Sequence, residues 1–314
     1  MATVIDSYTS GDTIIVDRVI KDPTLIPSMV KANLEGAFIE ELLFRDGGTN
    51  DGMVYFEEAA SRYLFDDARD VAEFAEIPVS DPSTGNVRSI IGKKTALAIR
   101  VSWEMRRFNR VDELTKRLTA LQNTMIRNSV RASLGAFSAV ETQTMAASAK
   151  WTDSGADPIT DLLTAIGSVQ AAKPEDAADE EMTFEYNPNT LLLSPAGWTA
   201  LLRNREAREM FQGNAADRNP LLDGVNYRGI VARGYLGLDV AVSSWVPKGE
   251  VYVLERGVCG FKSEAQPLTM TELYPEGGGG YGGPTQSWRA DAFAHRILAC
   301  DNPKSVMKMT GVLA

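Results

Sequence analysis

From Ser102 to Ala136 the chain carries one long helical pattern, with Val111, Leu114, Leu118, Leu121, Met125, Val130 and Leu134 on a single stripe and no proline within it. About 30 residues rising 1.5 Å each make a rod of about 45 Å, longer than most single domains are wide. A fold that contains this rod must lay other elements along one of its sides and use it as a spine.

What precedes the rod is arm-like. Leu25, Ile26, Met29, Val30, Leu34, Phe38, Leu42 and Leu43 recur at spacings of three and four, which predicts an amphipathic helix from Thr24 to Phe44, ended by Gly47-Gly48. Residues 1–22 have no period, although Thr13-Ile14-Ile15-Val16 is β-prone, and read as an extended arm. Val54-Tyr55-Phe56 and the alternating Leu97, Ile99 and Val101 predict two strands around a polar middle that carries the turn formers Asp81 to Asn86. A two-stranded excursion of this kind has no core of its own and needs another surface.

Beyond the rod, strand and helix alternate. Asp157-Pro158 suits a cap and first turn for a helix with Leu162, Leu163, Ile166 and Val169, which Lys173-Pro174 ends. Thr190 to Leu193 reads as a buried strand, and Ser194-Pro195 starts a helix with Trp198, Leu201 and Leu202. Leu238, Val240 and Val242, then Val251 to Leu254, predict strands around a turn at Val246 to Gly249. The tail from Trp288 to Leu313 adds strand material, including Phe293, Ile297 and Val306, broken at Pro303. The expected class is α+β.

Composition narrows the function. With 314 residues, 44% of them apolar and 24% charged, the chain has the makings of a folded globular protein. Its net charge of −10 repels a polyanion on average, which excludes tight general binding of DNA; a container wall along which DNA slides needs no such affinity. No apolar run reaches bilayer length and no basic-then-apolar leader opens the chain, so neither insertion nor secretion is expected. Cys259 and Cys300 form no disulfide framework and read as buried thiols.

Chemistry-bearing patterns are sparse. His295 is the single histidine and lies in a strand-like segment, so a catalytic relay has little to draw on. The run Gly277 to Gly283 lacks the Lys-Ser or Lys-Thr of a phosphate loop and is followed by Pro284. No metal-ligand spacing occurs. Neither an enzyme nor a cofactor is expected.

The order of these pieces resembles the Hong Kong 97 type major capsid protein of tailed bacteriophages. The likeness rests on Val54-Tyr55-Phe56-Glu57-Glu58, Ala72 to Pro78, Lys93-Lys94 and Ile99 to Met105 at one end. At the other it rests on Gly237-Leu238-Asp239-Val240, Ser243-Ser244, Pro247-x-Gly249, Tyr252-Val253, Ser287-Trp288-Arg289 and Asn302 to Val312. It covers nearly the whole chain. The resemblance implies an N-terminal arm over 1–50, an extended β-hairpin loop over 51–101, and a peripheral domain with the spine helix over 102–140. An axial α+β domain over 141–285 and the closing strands of the peripheral domain over 286–314 complete it.

It further implies a virion protein, assembled in the host cytoplasm as homo-hexamers and homo-pentamers of an icosahedral head around double-stranded DNA. Implied partners are a portal, a decoration protein and a scaffolding protein, the last expected as a separate chain because little sequence precedes the arm. An encapsulin-type bacterial nanocompartment shell shares the fold and is the alternative. Some relatives join a loop lysine to a neighbour's asparagine, which draws Lys93, Lys94 and Asn302 to notice.

One contact can be argued from charge. Between 100 and 131 eight basic residues face three acids, while between 57 and 76 seven acids face two arginines. Head-to-tail packing would lay the acidic loop of one subunit over the basic spine of the next, with Asp66, Asp67 and Asp70 opposite Arg127 and Arg131.

Overall fold

A computed structural model describes residues 27, 28, 30, 34, 37–58, 64, 66, 68–81, 85–153, 155–174, 183–204, 230–277 and 282–313. The expected arm over 1–22, Asp67, and Pro82 to Thr84 of the turn cluster lie outside them.

In chain order the elements are α1 (Ile39–Leu43), β1 (Arg45–Thr49), β2 (Met53–Glu58), β3 (Asn86–Ile91), β4 (Lys93–Ser102), α2 (Trp103–Arg107), α3 (Val111–Ser138), β5 (Gln143–Ala146) and α4 (Pro158–Gln170). There follow β6 (Thr190–Leu193), α5 (Pro195–Arg203), β7 (Ile230–Tyr235), β8 (Leu238–Val242), β9 (Glu250–Leu254), β10 (Phe261–Met270), β11 (Tyr274–Pro275), β12 (Ser287–Ala299) and β13 (Val306–Thr310). The α+β class is as expected.

The rod is real and shorter than its pattern. Helix α3 has 28 residues, about 42 Å, and a short α2 precedes it at an angle. The break follows a helix-ending motif: Asn109 takes a left-handed φ of 51°, Arg110 N–H reaches Met105 O at 2.9 Å and Asn109 N–H reaches Arg106 O at 3.4 Å. Asparagine tolerates that conformation, so Phe108-Asn109 was a stop signal that the apolar stripe concealed. The helix expected from 24 to 44 is likewise interrupted. Residues 27, 28, 30 and 34 are helical, Phe38 is extended at ψ 123°, and α1 starts anew after it. Gly47 and Gly48, expected as helix terminators, belong to β1.

Strand pairing corrects the two-stranded excursion. β2 pairs with β3, from Met53↔Ile91 to Glu58↔Asn86, and not with the stretch around Leu97 to Val101. That stretch is β4, antiparallel to β12 over Ser102↔Ser287 to Lys93↔Arg296. The reason is burial: Ile99 and Val101 need an apolar neighbour, and Trp288, Ala290 and Ala292 on β12 provide one beneath α3. β12 carries β10 and β11 on its other edge, and β1 completes this five-stranded sheet beside β10.

A second sheet has six strands in the order β5-β13-β9-β6-β8-β7. Central β6 is buried on both faces. Leu191 and Leu193 join the core made with Leu162, Ala165 and Val169 of α4, while Leu192 faces α3. Within the closing segment 286–314, β12 lies in the first sheet and β13 pairs with β9 and β5 in the second.

Helix α3 joins the two halves. Leu114, Leu118, Leu121 and Met125 pack on the first sheet. Val130, Ala136 and Phe137 pack with Ile39, Leu43, Leu192 and Tyr252 against the second. The local signals for the helices of this half hold: Asp157 caps Ile159 and Thr160 N–H at 3.1 and 3.0 Å, and Ser194 caps Gly197 N–H at 3.2 Å.

Candidate intersubunit surfaces

Among the described residues, the β2–β3 finger meets the body along β2 and at the Gly52–Gly92 base. Phe56 meets Phe261 edge-on at 5.4 Å, Glu58 is buried against Arg88, and Glu57 accepts the Gly85 N–H. Gly52 and Gly92 close the base with a 2.8 Å hydrogen bond beside His295. Farther out, every described residue from 68 to 79 is exposed. These include Val71, Phe74, Ile77 and Val79, with Phe74 99% and Val79 91% open to solvent. Apolar side chains in water with no fold of their own mark a surface that another molecule covers. Composition alone did not reveal this, because these residues follow no helical or strand period.

The charged residues singled out for contact stand apart within one chain. Asp66 pairs with Arg69 at 3.5 Å and its N–H reaches Ser80 Oγ at 2.9 Å, while Asp70 is exposed and makes no ion pair among the described residues. Arg131 is exposed and makes none either. Arg127 instead lies over Trp245 at 5.5 Å. The basic surplus of the spine is partly used inside the chain. Arg100 binds Glu276 at 2.5 Å, Arg117 donates to Arg100 O at 2.6 Å, Arg110 pairs with Glu113 at 3.7 Å, and Arg106 covers Trp288. Arg107 and Lys116 are exposed and make no ion pair among the described residues.

One buried charge cluster binds the N-terminal segment to the body. Glu40 of α1, 1% exposed, accepts from Arg296 of β12 and from Ser129 Oγ of α3 at 2.9 Å, with Lys262 of β10 at 4.0 Å. Burial pushes its carboxyl above the ordinary range, opposed by Arg296, Lys262 and Ser129. A cavity of about 190 Å³ opens beside it, lined by Leu34, Phe38, Met125 and Leu268 as well as the charges.

The remaining chemical candidates are structural. His295 sits in β12 opposite Lys94, with its Nδ1 buried and unpartnered. Cys259 and Cys300 are buried free thiols that desolvation pushes upward, Cys259 to about 12. The Asn302 amide donates to Val258 O at 2.9 Å and accepts from Tyr186 at 3.1 Å, while Lys94 lies over Phe293. Among the described residues no group of acids, histidines and cysteines is placed to hold a metal, and no helix is long and apolar enough to cross a membrane.

The described residues form closed apolar cores and a finger whose Phe74, Ile77 and Val79 lie in water. The family model of the phage capsid protein matches residues 88–300, and the chain belongs to that family. Its fold is similar to the capsid structure of the cyanophage P-SCSP1u, with TM-score 0.57 and 11% identity over 88% of this chain and 89% of that one. It is also similar to a virus-like particle from Pyrococcus furiosus (0.56, 12%, 89% and 97%) and to a structure from Mycobacterium phage Bobi (0.53, 16%, 85% and 88%). No curated protein matches the chain in sequence. The chain is a phage capsid protein, and the resemblance to the Hong Kong 97 type holds at the level of family and fold.

Proposed function

We propose that copies of this chain close into hexamers and pentamers of an icosahedral phage head that encloses double-stranded DNA. The observation that carries the reading is the finger, whose Phe74, Ile77 and Val79 are solvent-exposed in one subunit and would be covered in a ring of subunits. At about 25 cal/mol per Å² of apolar area, repeated at every contact of a closed particle, such modest surfaces suffice to hold a shell. The net charge of −10 suits a wall that contains DNA without gripping it. In this reading 1–50 is the arm, the β2–β3 finger over 53–91 is the extended loop with β4 part of the body, and the virion, formed in the host cytoplasm with a scaffolding protein and a portal, is the site of action.

Within the ring, the acidic finger of one subunit lies over the basic spine of the next, with Asp66, Asp67 and Asp70 toward Arg127 and Arg131. Individual exposed pairs contribute about 0 to 1 kcal/mol, so charge selects the neighbour and register while apolar area holds them. Reversal of the three aspartates to lysine should stop assembly, and reversal of Arg127 and Arg131 to glutamate should restore it. Normal shells from the first set alone would dismiss the pairing.

A second reading, an encapsulin-type compartment, is favoured by the likeness to a virus-like particle over 97% of that chain. The family model favours the phage. Electron microscopy of the purified full chain, with and without a co-expressed scaffolding protein, separates them. Closed particles that package DNA in an infected host support the head, particles that load protein support the compartment, and small soluble oligomers alone under both conditions refute both.

A further inference from the structure

Five charged side chains converge where α1 meets the body. Glu40 and Glu41 come from α1, Lys262 and Glu264 from β10, and Arg296 from β12. From α3 Ser129 and Met125 face them, and from β4 Thr95, none of them charged. Lys93, across from Arg296 on β4, is exposed and does not line the cavity. Three carboxylates against two cations leave one surplus negative charge. Lys262 lies closest to Glu264, at 2.7 Å, with Glu41 and Glu40 at 3.9 and 4.0 Å, while Arg296 binds Glu40.

The surplus is not shared evenly. The side chains of Glu41 and Glu264 are 43% and 30% exposed, so water supports their charge, whereas that of Glu40 is 1% exposed. A carboxylate is least stable where water is excluded, and the cavity beside Glu40 gives a proton its way in. Glu40 regains water when α1 lifts. The helix has 5 residues and no side-chain cap, and its end is tied to the body by Leu43 O, which accepts the Gly257 N–H at 2.8 Å and the Cys259 thiol at 3.3 Å. We propose that α1 is a proton-coupled clasp: Glu40 takes up a proton as the helix seats on β10, β12 and α3, and the clasp loosens when that proton leaves.

Burial fixes the direction. It lifts the seated carboxyl above its solvated value of about 4.3, with Arg296, Lys262 and Ser129 opposing the lift and Glu41 adding to it. Docking is therefore strongest below the solvated value, weakens as pH rises through the seated value and levels off above it. A neutral Glu40 keeps a carbonyl oxygen for Arg296, so the contact outlasts the charge. The clasp belongs to the single subunit and does not depend on shell formation.

The test is hydrogen exchange of the full-length, dissociated subunit from about pH 4.5 to about pH 8.5, with wild type beside Glu40→Gln, which is uncharged throughout. The amides of Phe44, bonded to Glu40 O at 3.1 Å, and of Gly257 read the clasp, and the amides of β6 read global opening. Taking the ratio of wild-type to variant rates cancels the chemical pH dependence of exchange. The ratio should rise at least threefold with pH at Phe44 and Gly257 and stay flat in β6. Glu41→Gln removes the surplus charge from the solvent side, so wild type against this variant should show a smaller rise of the same sign, which also serves if Glu40→Gln does not fold. A ratio that is flat with pH in either comparison, or a rise shared by β6, overturns the clasp.

Discussion

The guanidinium of Arg127 lies 5.5 Å over the ring of Trp245, joining the middle of α3 to the turn between β8 and β9. Charge counting had marked Arg127 as free for a neighbour; the structure gives it a partner within the chain. A half-exposed cation–π contact of this kind contributes about 0.5 to 1 kcal/mol. Trp245→Ala and Arg127→Ala should each lower the melting temperature by a few degrees, and the double variant should lose less than the sum, which calorimetry of dissociated subunits would read.

Glu40 is the most consequential charge in the body. Glu40→Ala leaves Arg296, with a side chain 10% exposed, beside an empty position in the interior. Loss of one partner from a buried pair costs about 3 to 5 kcal/mol, so urea unfolding should shift to markedly lower midpoint for this variant. An unchanged midpoint would mean that water reaches the cluster freely.

Leu162 and Leu163 are neighbours on α4 that hydropathy treats alike. Leu162 is fully buried and Leu163 is 51% exposed. Leu162→Ala should cost about 2 to 5 kcal/mol, and Leu163→Ala at most about 0.5 kcal/mol, in denaturant unfolding of the subunit.

Gly92 has no room for a side chain. A Cβ there would stand 2.5 Å from His295 Cε1 and 3.2 Å from Ile297, at the point where the finger leaves the body. Gly92→Ala should loosen the base by about 1 to 3 kcal/mol and speed proteolytic cleavage of the finger. Adding His295→Ala, which clears the obstacle, should restore protection.

Acidity reports on the edge of the first sheet. The Ser287 hydroxyl and then Arg100 hold the Glu276 carboxyl below its ordinary range. A depressed carboxyl contributes stability above its unfolded value of about 4.3, and that contribution is lost as pH falls through the folded value. Wild type and Glu276→Gln should therefore melt apart at pH 7 and converge near pH 2.

Local physics was legible in the sequence, and three-dimensional partnership was not. The caps at Asp157 and Ser194, the spine stripe from Leu114 to Val130 and the buried run Thr190 to Leu193 are set by residues within a turn or two of each other, so a linear pattern contains them. The pairing of β4 with β12 rather than with the other half of its excursion joins residues nearly two hundred positions apart and follows from which apolar faces meet under α3. The same holds for Glu40, unremarkable in sequence until α1, α3, β10 and β12 converge on it. Exposure of Phe74 and occupation of Arg127 were likewise decided by tertiary structure, because burial depends on what packs around a residue and not on the residue itself.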